Sequence, residues 1–105
     1  MDAVFVELPP FEQHRSEYLD DTTYSDFQQE LMKNPEAGDV IPGSGGYRKV
    51  RWSLSGRGKR GGSRIIYFNQ LADGEIWLLV IYSKSVRGNI PAHLLKAVRE
   101  AIESE

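Results

Sequence analysis

Apolar positions recur along the chain with two different periods, and each change of period marks a change of element. Residues 3–8 (AVFVEL) are apolar and rich in β-branched side chains, and two prolines follow them, which predicts a first strand. Phe11, Arg15, Tyr18 and Leu19 then fall at helical spacing. Asp20-Asp21-Thr22-Thr23 supplies the short oxygen-bearing side chains that cap helices. Tyr24, Phe27, Gln28 and Leu31 follow at i, i+3, i+4 and i+7, with Met32 widening the stripe, and Asn34-Pro35 stops that second helix. From Asp39 the period becomes two: Tyr47, Lys49 and Arg51 share one face of a strand and Arg48, Val50 and Trp52 the other. Ser53 to Gly62 reads as a loop rich in glycine and base, and residues 63–69 (SRIIYFN) as the next strand. After an Asp73-Gly74 turn signal, residues 76–82 (IWLLVIY) form the nearly continuous apolar run of a strand covered on both faces. Asn89 to Ser104 predicts a closing helix, with Pro91 in its first turn and Leu94, Leu95, Val98 and Ile102 as its apolar stripe. The order β-α-α-β-β-β-α is that of an α+β domain: a small antiparallel sheet with the helices packed on one face, spanning residues 1–105 as a single domain.

Charge changes the picture more than composition does. The formal net charge is -2, from 15 acids and 13 bases, but the two signs are segregated. Residues 1–39 hold ten acids and two bases, residues 40–72 seven bases and no acid, and residues 73–105 five acids and four bases. A local block of +7 over 33 residues thus sits in a net-acidic chain, and fields act locally. The expected partner of residues 40–72 is a polyanion, and the acidic first third argues against a protein that coats DNA all over. No stretch approaches the ~20 apolar residues of a membrane span. The acidic start, MDAVFVELPP, does not read as a signal peptide, so the expected location is the cytoplasm and no membrane partner is expected. The absence of cysteine excludes disulfides and thiolate metal sites.

Three features of the basic segment carry candidate chemistry. Lys49 and Arg51 share a strand face, and in an antiparallel meander Arg64 on the next strand can lie beside them. Cations so placed repel one another in the free protein, a cost that makes sense if a phosphate sits among them, since guanidinium groups bind phosphate through two parallel donors. The plainer reading is a solvated edge strand whose bases deter aggregation; seven bases without an acid favour the phosphate site. Gly56-Arg57-Gly58-Lys59-Arg60-Gly61-Gly62 matches G-x-G-x-x-G literally, but a strand and not a helix follows, which excludes a dinucleotide site. A basic loop against a nucleic-acid backbone, or an ordinary hairpin loop, fits better. At the end of the apolar strand, Tyr82 and Lys84 point to one face and Ser83 to the other; Tyr82 either packs or aims its hydroxyl at a phosphate.

Other residue types read as structural. His14 and His93, the two histidines, lie on predicted helices away from the basic hairpin, and with scattered acids they lack metal-ligand spacing. Trp52 and Trp77 read as strand-face residues, and Glu12, Glu17, Asp20, Asp21 and Asp26 as a solubilising surface. No pocket for bases is evident, and no cofactor is expected.

Residues 43–52 (GSGGYRKVRW), 56–68 (GRGKRGGSRIIYF) and 76–85 (IWLLVIYSKS) together resemble the HigB branch of the RelE-like toxins of the RelE/ParE superfamily. Members of that branch show G-x-G-G-L-R-K-x-R, then G-K-G-K-x-G-G-x-R-x-I-Y-Y, then a hydrophobic strand ending near I-Y-x-K-N. Residues 27–46 resemble the family's helix leading to N-P-x-x-G-x-x-I, so the resemblance runs from Val4 to about Val98. It implies a RelE-like fold and a type II toxin–antitoxin system. It also implies an mRNA interferase, a cytoplasmic endoribonuclease that cuts mRNA in the ribosomal A site and inhibits translation. The cut uses the RNA's own 2′-hydroxyl and needs no metal. Carried onto this sequence, the catalytic positions are Lys49, Arg51, Arg64, Tyr82 and Lys84, and the RNA- or ribosome-binding positions are Arg48, Arg57, Lys59 and Arg60. Arg51 stands where some relatives have lysine, and Ser83-Lys84-Ser85 replaces G-K-N or A-K-N. The implied partners are a helix-turn-helix, HigA-like antitoxin, operator DNA reached through that antitoxin, and the 70S ribosome with mRNA in its A site. Arg64 and Arg51 would hold the charge that builds on phosphorus, with Lys49 or Tyr82 handling protons. Two further readings stand beside this one: a non-catalytic nucleic-acid-binding regulator using the same basic face, and an inactive toxin relative acting through antitoxin binding, with the apolar and acidic helices as its docking surface.

Overall fold

The computed structural model describes residues 3–52, 62–70, 73–83 and 91–103. Strand β1 (Val4–Glu7) leads into helix α1 (Pro9–Tyr18), whose proline-containing first turn has its φ preset and lacks an N–H that would be unsatisfied there. Helix α2 (Asp21–Lys33) starts at Asp20, whose carboxylate accepts the Thr23 N–H at 2.8 Å. Strands β2 (Asp39–Val40), β3 (Arg48–Trp52), β4 (Ser63–Gln70) and β5 (Glu75–Ser83) follow, and helix α3 (Ala92–Glu103) closes the described chain. The five strands form one sheet in the order β1-β5-β4-β3-β2.

The α+β class is the expected one, and tertiary pairing adds three features to it. A two-residue strand, β2, pairs antiparallel with Arg48 and Lys49 of β3. Strand β1 lies parallel to β5, so the sheet is mixed and not purely antiparallel. The helices occupy both faces and not one. Phe11, Leu19, Tyr24, Phe27 and Leu31 of the α1–α2 hairpin pack with Ile65, Tyr67, Ile76 and Leu78, whereas Leu95 of α3 packs on the opposite face with Tyr47, Ile66, Phe68 and Val80. A sheet with apolar residues on both faces needs a cover on each, and one helical hairpin reaches only one.

Helix α3 also turns differently from its sequence pattern. Leu95 is buried, but Leu94 is 51% exposed and Val98 38% exposed. The sheet-facing stripe instead includes Arg99, whose guanidinium lies 4.1 Å from the centre of the Phe68 ring. Pro91 sits just before the helix, its carbonyl accepting from the Leu94 N–H at 3.1 Å.

A bulge in β5 decides what the far end of that strand faces. Ile66 pairs with Val80 but Tyr67 with Leu78, so Leu79 is the extra residue. Strict alternation from Ile76 would send Tyr82 toward α1 and α2. Instead Ile76, Leu78 and Ile81 face the helical hairpin, and Val80 and Tyr82 face the α3 side.

The turn from α2 into β2 is clamped from the sheet. The fully buried Tyr67 hydroxyl donates to the Pro35 carbonyl at 2.9 Å and accepts the Gly38 N–H at 3.0 Å, and Asn69 donates to the same Pro35 oxygen at 2.7 Å. A Cβ on Gly38 would stand 2.8 Å from the Lys49 carbonyl oxygen, so only glycine allows this approach. Removing the hydroxyl in Tyr67→Phe strands a buried donor and weakens the hold on a carbonyl; it is expected to lower unfolding free energy by about 1–3 kcal/mol, read from urea denaturation.

Two tyrosines make the fold alkali-sensitive. Burial, then the hydrogen bond to the Glu7 carboxylate, pushes the Tyr24 phenol well above its usual range, and burial raises Tyr67 as well. The folded protein therefore keeps both protons at pH values where an unfolded tyrosine, titrating near 10, loses its own. Their stabilising contribution is complete below that pH and falls as pH rises above it. Melting temperature is expected to drop between about pH 10 and 12, more steeply in the parent than in Tyr24→Phe.

Candidate functional site

The α3 side of the sheet carries a cationic row built by register. Arg51 of β3 lies opposite Arg64 of β4, and Arg64 lies opposite Tyr82 of β5. Directly opposed residues of antiparallel strands share a face with Cβ atoms about 4.5–5.5 Å apart. Two guanidinium groups and a phenol therefore form one line across three strands. Lys49 belongs to the next row on the same face, opposite Ile66, roughly 7 Å along β3 from Arg51.

Burial differs along the row for a topological reason. Arg64 is 7% exposed because β4 runs between β3 and β5, and Tyr82 is 4% exposed although β1 stops at Leu78, because α1 borders that end of β5. Arg51 is exposed, since β2 pairs only with Arg48 and Lys49 and stops short of it. Lys49 is half-buried. The sheet thus holds one guanidinium with little freedom and offers a second at the surface. Such a pair can take adjacent oxygens of one phosphate, while a tyrosine hydroxyl can donate to it and a lysine ammonium supplies three more donors.

Beside the row lies a cleft of about 450 Å³ lined by Asp39, Val40, Ile41, Pro42, Lys49, Ile66, Tyr82, Pro91 and Ala92. The sequence shows no evident pocket; the fold makes this cleft by bringing the β2 segment and the start of α3 together over β3–β5. The residues missed by sequence reasoning are therefore Asp39 and the apolar walls. Asp39 had one legible signal, its place at the onset of the period-two pattern, but only the pairing of β2 with β3 sets it opposite Lys49.

The structure brings together Lys49, Arg51, Arg64 and Tyr82. It does not bring Arg48 to them. Arg48 points to the opposite face, where its guanidinium donates to the Gly38 carbonyl at 2.8 Å and the Glu36 carbonyl at 3.3 Å and lies 3.8 Å from the Glu36 carboxylate. It ties the α2–β2 turn to the sheet. Arg57, Lys59, Arg60 and Lys84 lie outside the described residues. His14 pairs with Glu17 on α1, and His93 is exposed on α3 across the sheet, so the two histidines do not meet. Trp52 packs edge-on against Phe27 at 5.3 Å, and Trp77 packs on the α3 side. Among the described residues, no group of three or more His, Asp or Glu could hold a metal ion, and no helix is long and apolar enough to cross a membrane.

No protein-family model matches the sequence. The fold is that of the Escherichia coli toxin RelE. A structure of that toxin in the free state, with two arginines replaced by alanine, superposes with a TM-score of 0.60 over 94% of this chain and 98% of the other at 13% sequence identity.

Proposed function

We propose that this protein is a HigB-type toxin of a type II toxin–antitoxin system, a ribosome-dependent endoribonuclease that cuts mRNA in the A site. The observation that carries this reading is the row Arg51–Arg64–Tyr82, with Lys49 beside it, on one sheet face and next to a cleft. The fold shared with RelE supports it.

The chemistry follows from the charges. The 2′-oxygen attacks the adjacent phosphorus and loses its proton, the bond to the 5′-oxygen of the next nucleotide breaks, and a 2′,3′-cyclic phosphate and a 5′-hydroxyl result. Negative charge builds on the two non-bridging oxygens, where Arg64 and Arg51 hold it. Lys49 takes the proton from the 2′-hydroxyl, and Tyr82 or Lys84 gives one to the leaving oxygen. The ribosome holds the mRNA in the reactive geometry, which a shallow cationic sheet face does not do alone. A HigA-like antitoxin is the partner that restrains the toxin and links it to operator DNA.

The test is a purified translation reaction on a defined mRNA, run with and without ribosomes, with new RNA 5′ ends mapped. Cuts are expected only on translated mRNA, and they should vanish in Lys49→Ala. Intact mRNA in both reactions, from a protein that still binds RNA or ribosomes in a salt-sensitive manner, would establish a non-catalytic binder instead.

A further inference from the structure

The cleft beside the cationic row has two kinds of wall. Val40, Ile41, Pro42, Ile66, Pro91 and Ala92 make it mostly aliphatic, and its polar groups are Asp39, Lys49 and Tyr82. About 450 Å³ falls within the roughly 300–1,000 Å³ typical of small-ligand sites. Aliphatic walls with a few polar groups among them suit a nucleobase turned out of a single strand, its faces covered and its Watson–Crick edge hydrogen-bonded.

Asp39 is the acid among those polar groups. It is exposed, stands opposite Lys49 in the β2–β3 register, and forms none of the ion pairs among the described residues. A carboxylate only accepts hydrogen bonds, and it accepts two side by side. Guanine alone among the four RNA bases presents two adjacent donors, N1–H and the N2 amino group. Adenine and cytosine each set an amino group next to a ring nitrogen whose lone pair a carboxylate repels, and uracil offers one N–H between two carbonyls.

The geometry points to a nucleobase site in this cleft, with Asp39 as a specificity-determining residue that selects guanine in the nucleotide whose 2′-hydroxyl lies against Lys49. The inference rests on the ribonuclease reading above. Cross-strand neighbours stand about 4.5–5.5 Å apart at Cβ, so a base read by Asp39 and a 2′-hydroxyl met by Lys49 fit within one nucleotide. The plainer role for Asp39 is to balance the charge of Lys49 across the strands, in which case base preference would not depend on it.

Cut sites mapped across a translated transcript that samples all codons decide between these roles. The wild-type protein is expected to favour guanine on one side of the cut by roughly ten- to a hundredfold, the discrimination typical of a bidentate base contact. Among the cuts that remain, Asp39→Asn and Asp39→Ala are expected to lose that bias. A wild-type protein with no base bias at the cut, or variants that keep the wild-type bias, would overturn the inference and leave the ribonuclease reading standing. A wild-type protein that cuts nothing would overturn both.

Discussion

Replacing Arg64 by alanine is expected to lower the rate of ribosome-dependent mRNA cleavage by on the order of 10²–10³ while leaving the protein folded. Arg64 sits in the middle of the cationic row, opposite both Arg51 and Tyr82, and at 7% exposure its guanidinium is held by the sheet. A donor positioned before the reaction needs no reorganisation as charge builds on the phosphate, and little surrounding water weakens it. The surface-exposed Arg51 has neither advantage, so Arg51→Ala should cost less. Arg64→Lys keeps the charge but loses the planar fork that spans two oxygens, and should recover only part of the activity. Single-turnover cleavage of a stalled, programmed ribosome measures these rates, and circular dichroism of the same samples checks the fold. Near-normal cleavage by Arg64→Ala would remove this residue from the mechanism.

The largest effect on stability is expected on the other side of the sheet. Phe27 is fully buried and packs edge-on against Trp52 at 5.3 Å, joining α2 to β3. Phe27→Ala leaves a cavity between helix and sheet that neither can close alone, at a cost of about 3–5 kcal/mol. For a domain of this size that corresponds to a fall in melting temperature of roughly 15–25 °C. The cationic row faces away from this cavity, so cleavage well below the new melting temperature should survive. Comparing Phe27→Ala with Arg64→Ala thus separates loss of fold from loss of chemistry, because the two residues stand on opposite faces of one sheet.

Much of this organisation was legible in the sequence because it depends on neighbours along the chain. The stripe of Tyr24, Phe27 and Leu31, the cap at Asp20 and the prolines after Leu8 predict elements that the structure contains. The alternation through residues 47–52 correctly set Lys49 and Arg51 on one face and Val50 and Trp52 on the other, since side-chain period in a strand is a local property. The charge block in residues 40–72 likewise needs only counting.

Contacts between distant segments decided the rest. Arg64 joins the row because β4 pairs with β3 in a register that the sequence does not state. Tyr82 joins it because the bulge at Leu79 shifts the alternation by one residue, and an apolar run such as IWLLVIY carries no mark of where that shift falls. The parallel placement of β1, the position of α3 on the face left open by α1 and α2, and the pairing that brings Asp39 to Lys49 depend equally on partners far away in sequence. The sequence by itself therefore determined the elements and the charge they carry, because periodicity and propensity are short-range. The site itself, a cationic row and a cleft assembled from four strands and the start of a helix, was decided by tertiary structure, because register and face are settled by which surfaces must be buried together.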